Sequence, residues 1–242
     1  MDFTEQEIFA LDRSITPARM GAYRAAAAGD PGRARELYLR DRRLAGAFLA
    51  DLGLLEVALR NAMNRQLALR WEDTWYHNRE MPLDDRSLAA LSRAWAQVPG
   101  ERTPGRVVSS CMLGFWRGLL DRGDHVGRPP RRARCDYEVL WRGVLDRAFP
   151  GGRAISQVDA ARWNRDYAHG VVSRVNDLRN RVAHHEPLVN GFPLSGQRRR
   201  LSVGEAAADC LRLAGMPDRD LESVLRRTST VPRILNQSPQ SS

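Results

Sequence analysis

The chain contains no lysine: its 38 basic residues are all arginine, set against 29 acidic ones. Missing lysine beside abundant alanine, glycine and arginine fits the codon bias of a GC-rich genome. The excess of +9 exists whatever its origin, and it permits contact with nucleic acid, where the planar guanidinium suits phosphate oxygens. Cysteine is scarce. Cys111, Cys135 and Cys210 are odd in number, widely spaced and without a CxxC pair, which excludes a disulfide framework or a zinc site as the organising principle. No run of eighteen apolar residues occurs, and the N-terminus opens on acidic groups (MDFTEQEIFALDR), so neither a membrane span nor a signal peptide is expected and the chain reads as cytoplasmic. There is no Walker loop, no GxSxG, no HExxH pair and no internal repeat, so no cofactor and no metal is expected.

What is present is helical periodicity, in a chain whose apolar fraction of 43% and charged fraction of 28% suit a folded globular protein. The expected class is all-α. A first helix is predicted from Thr4 to Arg13, and a second from Thr16-Pro17 to about Ala28, since a hydroxyl cap followed by proline is a start signal. Asp30-Pro31 repeats that signal and opens a long stretch toward Trp71, with Leu44, Phe48, Leu52, Leu55, Leu59 and Met63 on one face and Gly53 as a point of bending or division. A loop plugged by Trp75 and Tyr76 should follow. Further helices are predicted at Asp85 to Gln97, Gly105 to Leu120, Tyr137 to Phe149, Ser156 to His185, Val203 to Ala214 and Asp218 to Arg227, with a disordered polar tail from about Asn236. Between them, GDHVGRPPRRARCD forms a basic loop in which Arg128, Arg131, Arg132 and Arg134 follow one another with no acidic residue between the first and the last. It is either a solvated loop or a track for a phosphate backbone.

The stretch Asn176 to Leu188, NDLRNRVAHHEPL, divides into three sectors at roughly 100° per residue. Val171, Val175, Leu178 and Val182 form the core stripe. Arg174, Asp177, Arg181 and His185 form a sector that reads as solvated. Ser173, Asn176, Arg179, Asn180, Ala183 and His184 form a third, polar sector suited to a partner. Pro187 should end the helix, placing His184 in its last turn. A purely structural reading is a helix end whose two histidines cap carbonyls.

Arg179, Asn180 and His184, in the order Arg-polar-x-x-x-His, resemble the RNxxxH signature of HEPN domains, helical modules that include metal-independent ribonucleases. The phrase LRNRVAHHEPL is similar to the Abi-like abortive-infection family within that group. LLEVALRNAMNRQLALRWEDTWY and the Gly-Phe-Trp of CMLGFWRGLL resemble two further family stretches, so the likeness spans roughly Leu37 to Leu235. It implies a HEPN-like helical bundle over residues 31–235, an N-terminal helical extension over 1–30, further C-terminal helices and a tail over 236–242. It also implies a phage-defence endoribonuclease in which His184 moves protons, Arg179 holds the phosphate and Asn180 fixes one of them, with a 2′,3′-cyclic phosphate product. His185 and Glu56 are supporting candidates: Glu56 either pairs locally with Arg60 or orients Arg179. Because Arg179 and His184 are about 140° apart on one ideal helix, the likeness implies a homodimer that packs two motifs face to face, with RNA as substrate and an antitoxin or a phage trigger as further partner. The competing expectation is a non-catalytic helical module that binds RNA or a protein.

Overall fold

Thr4 accepts the Glu7 N–H through its side chain while the Glu7 carboxylate accepts the Thr4 N–H at 2.8 Å, and this reciprocal capping box opens α1 (Glu5–Ser14). The computed structural model describes residues 3–237. Thr16 and Pro17 start α2 (Pro17–Ala26), and Asp30, which accepts the Arg33 N–H at 2.8 Å, starts α3 (Pro31–Trp71). Helix α3 runs unbroken for 41 residues. Gly53 lies on its exposed side with open space where a Cβ would sit, so it does not divide the helix. The predicted core face of α3, from Leu44 through Met63, is buried throughout. A short 3-10 turn, Trp75–His77, buries Trp75 and Tyr76, and Asp84 caps α4 (Asp85–Gln97) by accepting the Ser87 N–H.

The helix expected from Gly105 to Leu120 is two helices, α5 (Pro104–Ser110) and α6 (Leu113–Gly118). Cys111 is extended, and the Leu113 N–H donates to Glu56 Oε1 at 3.0 Å instead of to the preceding turn. The basic loop contains a small antiparallel pairing of β1 (His125–Val126) with β2 (Ala133–Arg134), His125 lying opposite Arg134. Gly123 makes that hairpin possible: its φ is +76°, and a Cβ there would meet the Cys135 carbonyl oxygen at 2.1 Å. The predicted helix from Tyr137 to Phe149 shortens to α7 (Tyr137–Gly143), followed by a 3-10 turn, Leu145–Ala148.

The expected long helix from Ser156 to His185 is also two, α8 (Gly152–Val158) and α9 (Arg165–Ala183). Ala160 at φ +51° ends the first, and Asn164 starts the second by accepting the Tyr167 N–H at 2.8 Å. Gly170 does not interrupt α9. After it come β3 (Phe192–Pro193) paired with β4 (Arg200–Leu201), α10 (Val203–Gly215), α11 (Arg219–Thr228) and an unpredicted α12 (Val231–Asn236). Of the expected polar tail, Asn236 closes α12 and residues 238–242 lie outside the described residues. Twelve α-helices against two pairs of two-residue strands, among the described residues, make the chain predominantly helical.

By contacts the chain divides into two compact units: Met1–Leu49 with Leu178–Ala207 and Thr230–Ser242, and Ala50–Asp177 with Ala208–Ser229. In the first, Met20, Tyr23, Ala27 and Ala34 form a core against which Ile15, Leu37, Tyr38 and Val189 pack, and Arg40 donates to the carbonyls of Ile234 and Leu235. In the second, Trp75 packs with Phe115 and Trp116, and Trp141 with Phe149 and Trp163.

The second unit also corrects the solvated reading of Arg174. Its guanidinium forks onto Asp209 at 2.6 and 2.8 Å, and Asp209 is only 2% exposed. Arg212 reaches Asp209 at 3.2 Å and forks onto Asp159 at 2.7 Å on each oxygen, while Tyr167 donates to Asp159 at 2.6 Å. The Arg212 bonds hold the Asp159 carboxyl below the usual range, against the opposing effect of burial. A carboxylate depressed in this way stabilises the fold above its unfolded pKa, about 3.9, and the contribution is lost as pH falls through the folded value. Asp159→Asn should therefore lower stability at neutral pH by about 1–3 kcal/mol and flatten the acid limb of the stability curve. Urea denaturation from pH 7 down to about pH 2 checks both.

Candidate functional site at the end of α9

The end of α9 is closed by its own backbone. The His184 N–H donates to the Asn180 carbonyl at 3.0 Å, the His185 N–H to Val182 at 3.1 Å and the Glu186 N–H to Arg181 at 2.9 Å. With His185 at φ +55°, the last two bonds make a Schellman cap. Glycine is the residue that ordinarily takes this left-handed position, so a histidine there carries backbone strain. His184 sits at the junction rather than in the last helical turn, since the helix ends at Ala183. The structural reading of side chains capping carbonyls does not apply: backbone amides serve the Asn180, Arg181 and Val182 carbonyls, and neither imidazole bonds a carbonyl among the described residues.

Asn180, His184 and His185 are exposed and Arg179 is half-buried. Their side chains make no hydrogen bond or ion pair with another described residue, whereas the neighbouring Arg181 pairs with Glu186 across the cap. The core stripe behaves as predicted: Val171, Val175, Leu178 and Val182 are all buried. The expected polar sector faces outward only at the helix end, through Arg179, Asn180, Ala183 and His184, because Asn176 is buried and Ser173 is half-buried against His169. With His185 beside it, that end presents one cation, one amide and two imidazoles unengaged by the described residues. Such a set can hold an anionic oxygen and exchange a proton.

The other candidates belong to the second unit. Glu56 is engaged with the Leu113 N–H, and Arg60 reaches the Ser109 carbonyl at 3.4 Å, so the local Glu56–Arg60 pair is not formed. Arg128, Arg131, Arg132 and Arg134 are all exposed on or beside the β1–β2 hairpin, and none pairs with a described carboxylate.

Three histidines without evident partners in the sequence acquire them. His125 Nδ1 lies 2.8 Å from Asp124, His77 packs edge-on to Tyr76 and Trp95, and His169 Nε2 lies 3.2 Å from Ser173 Oγ, with burial pushing its pKa down. The i, i+4 spacing of His169 and Ser173 is a helical signal, although it acquires meaning only once α9 is known to start at Arg165. The three free thiols are buried; burial pushes Cys111 up to about 11 and raises Cys135 and Cys210 as well, so none is poised as a nucleophile. Among the described residues, no group of three or more His, Cys, Asp or Glu could hold a metal ion, and no helix is long and apolar enough to cross a membrane.

The cap geometry separates the two adjacent histidines. His185→Gly should raise stability by roughly 1 kcal/mol by removing the left-handed strain, whereas His184→Gly should gain nothing. Thermal unfolding of the two variants tests the assignment. Compared with protein-family models, with curated proteins and with solved structures, the chain matches none.

Proposed function

We propose that the chain is a metal-independent endoribonuclease acting in phage defence, of the HEPN and Abi-like kind that its LRNRVAHHEPL phrase resembles. The observation that carries this reading is the helix end itself. Arg179, Asn180 and His184 fall within six residues at the end of α9, without a side-chain hydrogen bond or ion pair among the described residues and on a backbone closed by its own cap. An unpaired half-buried arginine and an exposed imidazole are costly or idle in a purely structural role and useful toward a phosphate.

In the proposed reaction His184 takes the proton of the 2′-hydroxyl, whose oxygen attacks the adjacent phosphorus. Arg179 neutralises the charge that builds on the phosphate oxygens, and Asn180 fixes the phosphate or the imidazole. The bond to the leaving 5′-oxygen breaks, that oxygen is protonated, and the products carry a 2′,3′-cyclic phosphate and a 5′-hydroxyl. Arg179 and His184 are about 140° apart on an ideal helix, and a single His184 is not base and acid in one step, so one copy does not supply all three roles at a single phosphate. A homodimer with two such helix ends in one cleft does, the second His184 serving as acid. The hairpin arginines guide the RNA strand electrostatically, and a phage-derived trigger or an antitoxin would set when the site acts.

Incubating the full chain with total RNA in EDTA tests the reading. Cleavage should persist without metal and should fall by about a hundredfold or more in His184→Ala and in Arg179→Ala; cleavage by neither wild type nor variant, with RNA still bound, would instead support a non-catalytic binding module. Replacing Arg128, Arg131, Arg132 and Arg134 with glutamine should weaken RNA binding and reduce its salt dependence while leaving the single-turnover cleavage rate of bound RNA within a few-fold. Filter binding across a salt series measures the first, and saturating-enzyme kinetics the second.

A further inference from the structure

Four residues past His184, Leu188 is 0% exposed, so its N–H is buried and needs an acceptor. That acceptor is the carboxylate of Asp41 on α3, at 3.1 and 3.3 Å, and the same carboxylate takes the Tyr23 hydroxyl at 2.7 Å. Asp41 is itself only 7% exposed, and Tyr23 belongs to the core cluster into which Val189, the next residue along, also packs. The segment between the two histidines and this anchor has little freedom. His185 is held left-handed, Glu186 donates to Arg181 and precedes a proline, and Pro187 has a fixed φ.

The chain on which His184 and His185 sit is thus gripped twice, by the cap on one side and by Asp41 on the other. A buried carboxylate is an expensive way to satisfy one amide, since an asparagine or serine would accept it without a charge to desolvate. Burial indeed pushes the Asp41 carboxyl above its usual range, with the Tyr23 and Leu188 bonds and the nearby Arg19 and Arg40 acting in the opposite direction. What a carboxylate offers is two oxygens with acceptor capacity for both donors at once, the Leu188 N–H across both oxygens and the Tyr23 hydroxyl on one of them.

From this geometry we infer that Asp41 is a positioning residue for the α9 end: with Tyr23 behind it, it fixes the Glu186–Leu188 segment and thereby the placement of His184 relative to Arg179. It touches no substrate and acts through the backbone of Leu188. The catalytic consequence rests on the ribonuclease reading, whereas the positioning itself is measurable without it.

The test uses the full chain as wild type, Asp41→Ala, Asp41→Asn and Tyr23→Phe, with Asp159→Asn as a destabilised control in the other unit. Two readouts are taken: the imidazole and Leu188 amide signals by NMR, including amide exchange, and kcat and KM for RNA. Asp41→Ala should speed Leu188 exchange at least tenfold, shift the His184 resonances, and lower kcat roughly tenfold to a hundredfold with KM within about twofold, as a misplaced group does. Asp41→Asn, which keeps one acceptor oxygen, and Tyr23→Phe should move each readout less, and the control should move none. If Asp41→Ala does not fold, Asp41→Asn decides by the same signals. Should the melting temperature fall while the His184 resonances and kcat stay at wild-type values, the inference is overturned and Asp41 is a structural group only. If wild type cleaves no RNA, the ribonuclease reading fails and the NMR signals alone decide: shifted His184 resonances support the inference and unmoved ones overturn it.

Discussion

The Schellman cap at the end of α9 is the constraint on which the functional reading depends. The amides of His185 and Glu186 close the helix on the Val182 and Arg181 carbonyls, so the end is capped by backbone and not by the imidazole of His184 or His185. The cap is maintained with a histidine in a left-handed conformation, a choice that costs stability where glycine would not. Arg181, the residue whose carbonyl is capped, also reaches Glu186 with its side chain, so backbone and charge agree on where the helix stops.

Arginine in this chain divides into two populations, and only the structure separates them. Arg165 is buried and spends its nitrogens on Glu138, Asp166 and the Leu120 carbonyl. Arg174 and Arg212 hold Asp209 and Asp159, and Arg40 secures the carbonyls of α12. These are struts, and their charges are cancelled or committed. Arg179 and the hairpin set of Arg128, Arg131, Arg132 and Arg134 have no such commitments among the described residues. The net charge of +9 therefore says nothing about which arginines are committed or where the uncommitted ones lie.

Much of the helical layout was legible because it rests on local chemistry. Thr4, Thr16-Pro17 and Asp30-Pro31 start helices for reasons contained within four residues, and the stripe from Leu44 to Met63 was buried as its spacing required. The failures share a different cause. The divisions after Ser110 and between Val158 and Arg165 depend on partners far along the chain, such as Glu56 for the Leu113 amide and Asp146 for the Trp163 indole at 2.7 Å. No window of sequence contains such a pair. Arg174 was misread for the same reason, since Asp209 lies 35 positions away. The phrase around Arg179 and His184 was conspicuous as a motif, yet the left-handed His185 beneath it was not, because nothing in the letters distinguishes a histidine that caps from one that reacts.

The proposed chemistry is specific about atoms: the nucleophile is the 2′-oxygen of the RNA itself, deprotonated by His184, with no metal-bound water involved. The most direct measurement is the cleavage of a defined RNA in EDTA beside the same strand carrying one 2′-deoxy nucleotide at the cleaved position, with the fragment ends read by mass. The account predicts loss of cleavage at that position alone, and fragments elsewhere that end in a 2′,3′-cyclic phosphate and begin with a 5′-hydroxyl. Undiminished cleavage at the deoxy position, or fragments with 5′-phosphate and 3′-hydroxyl ends, would contradict it.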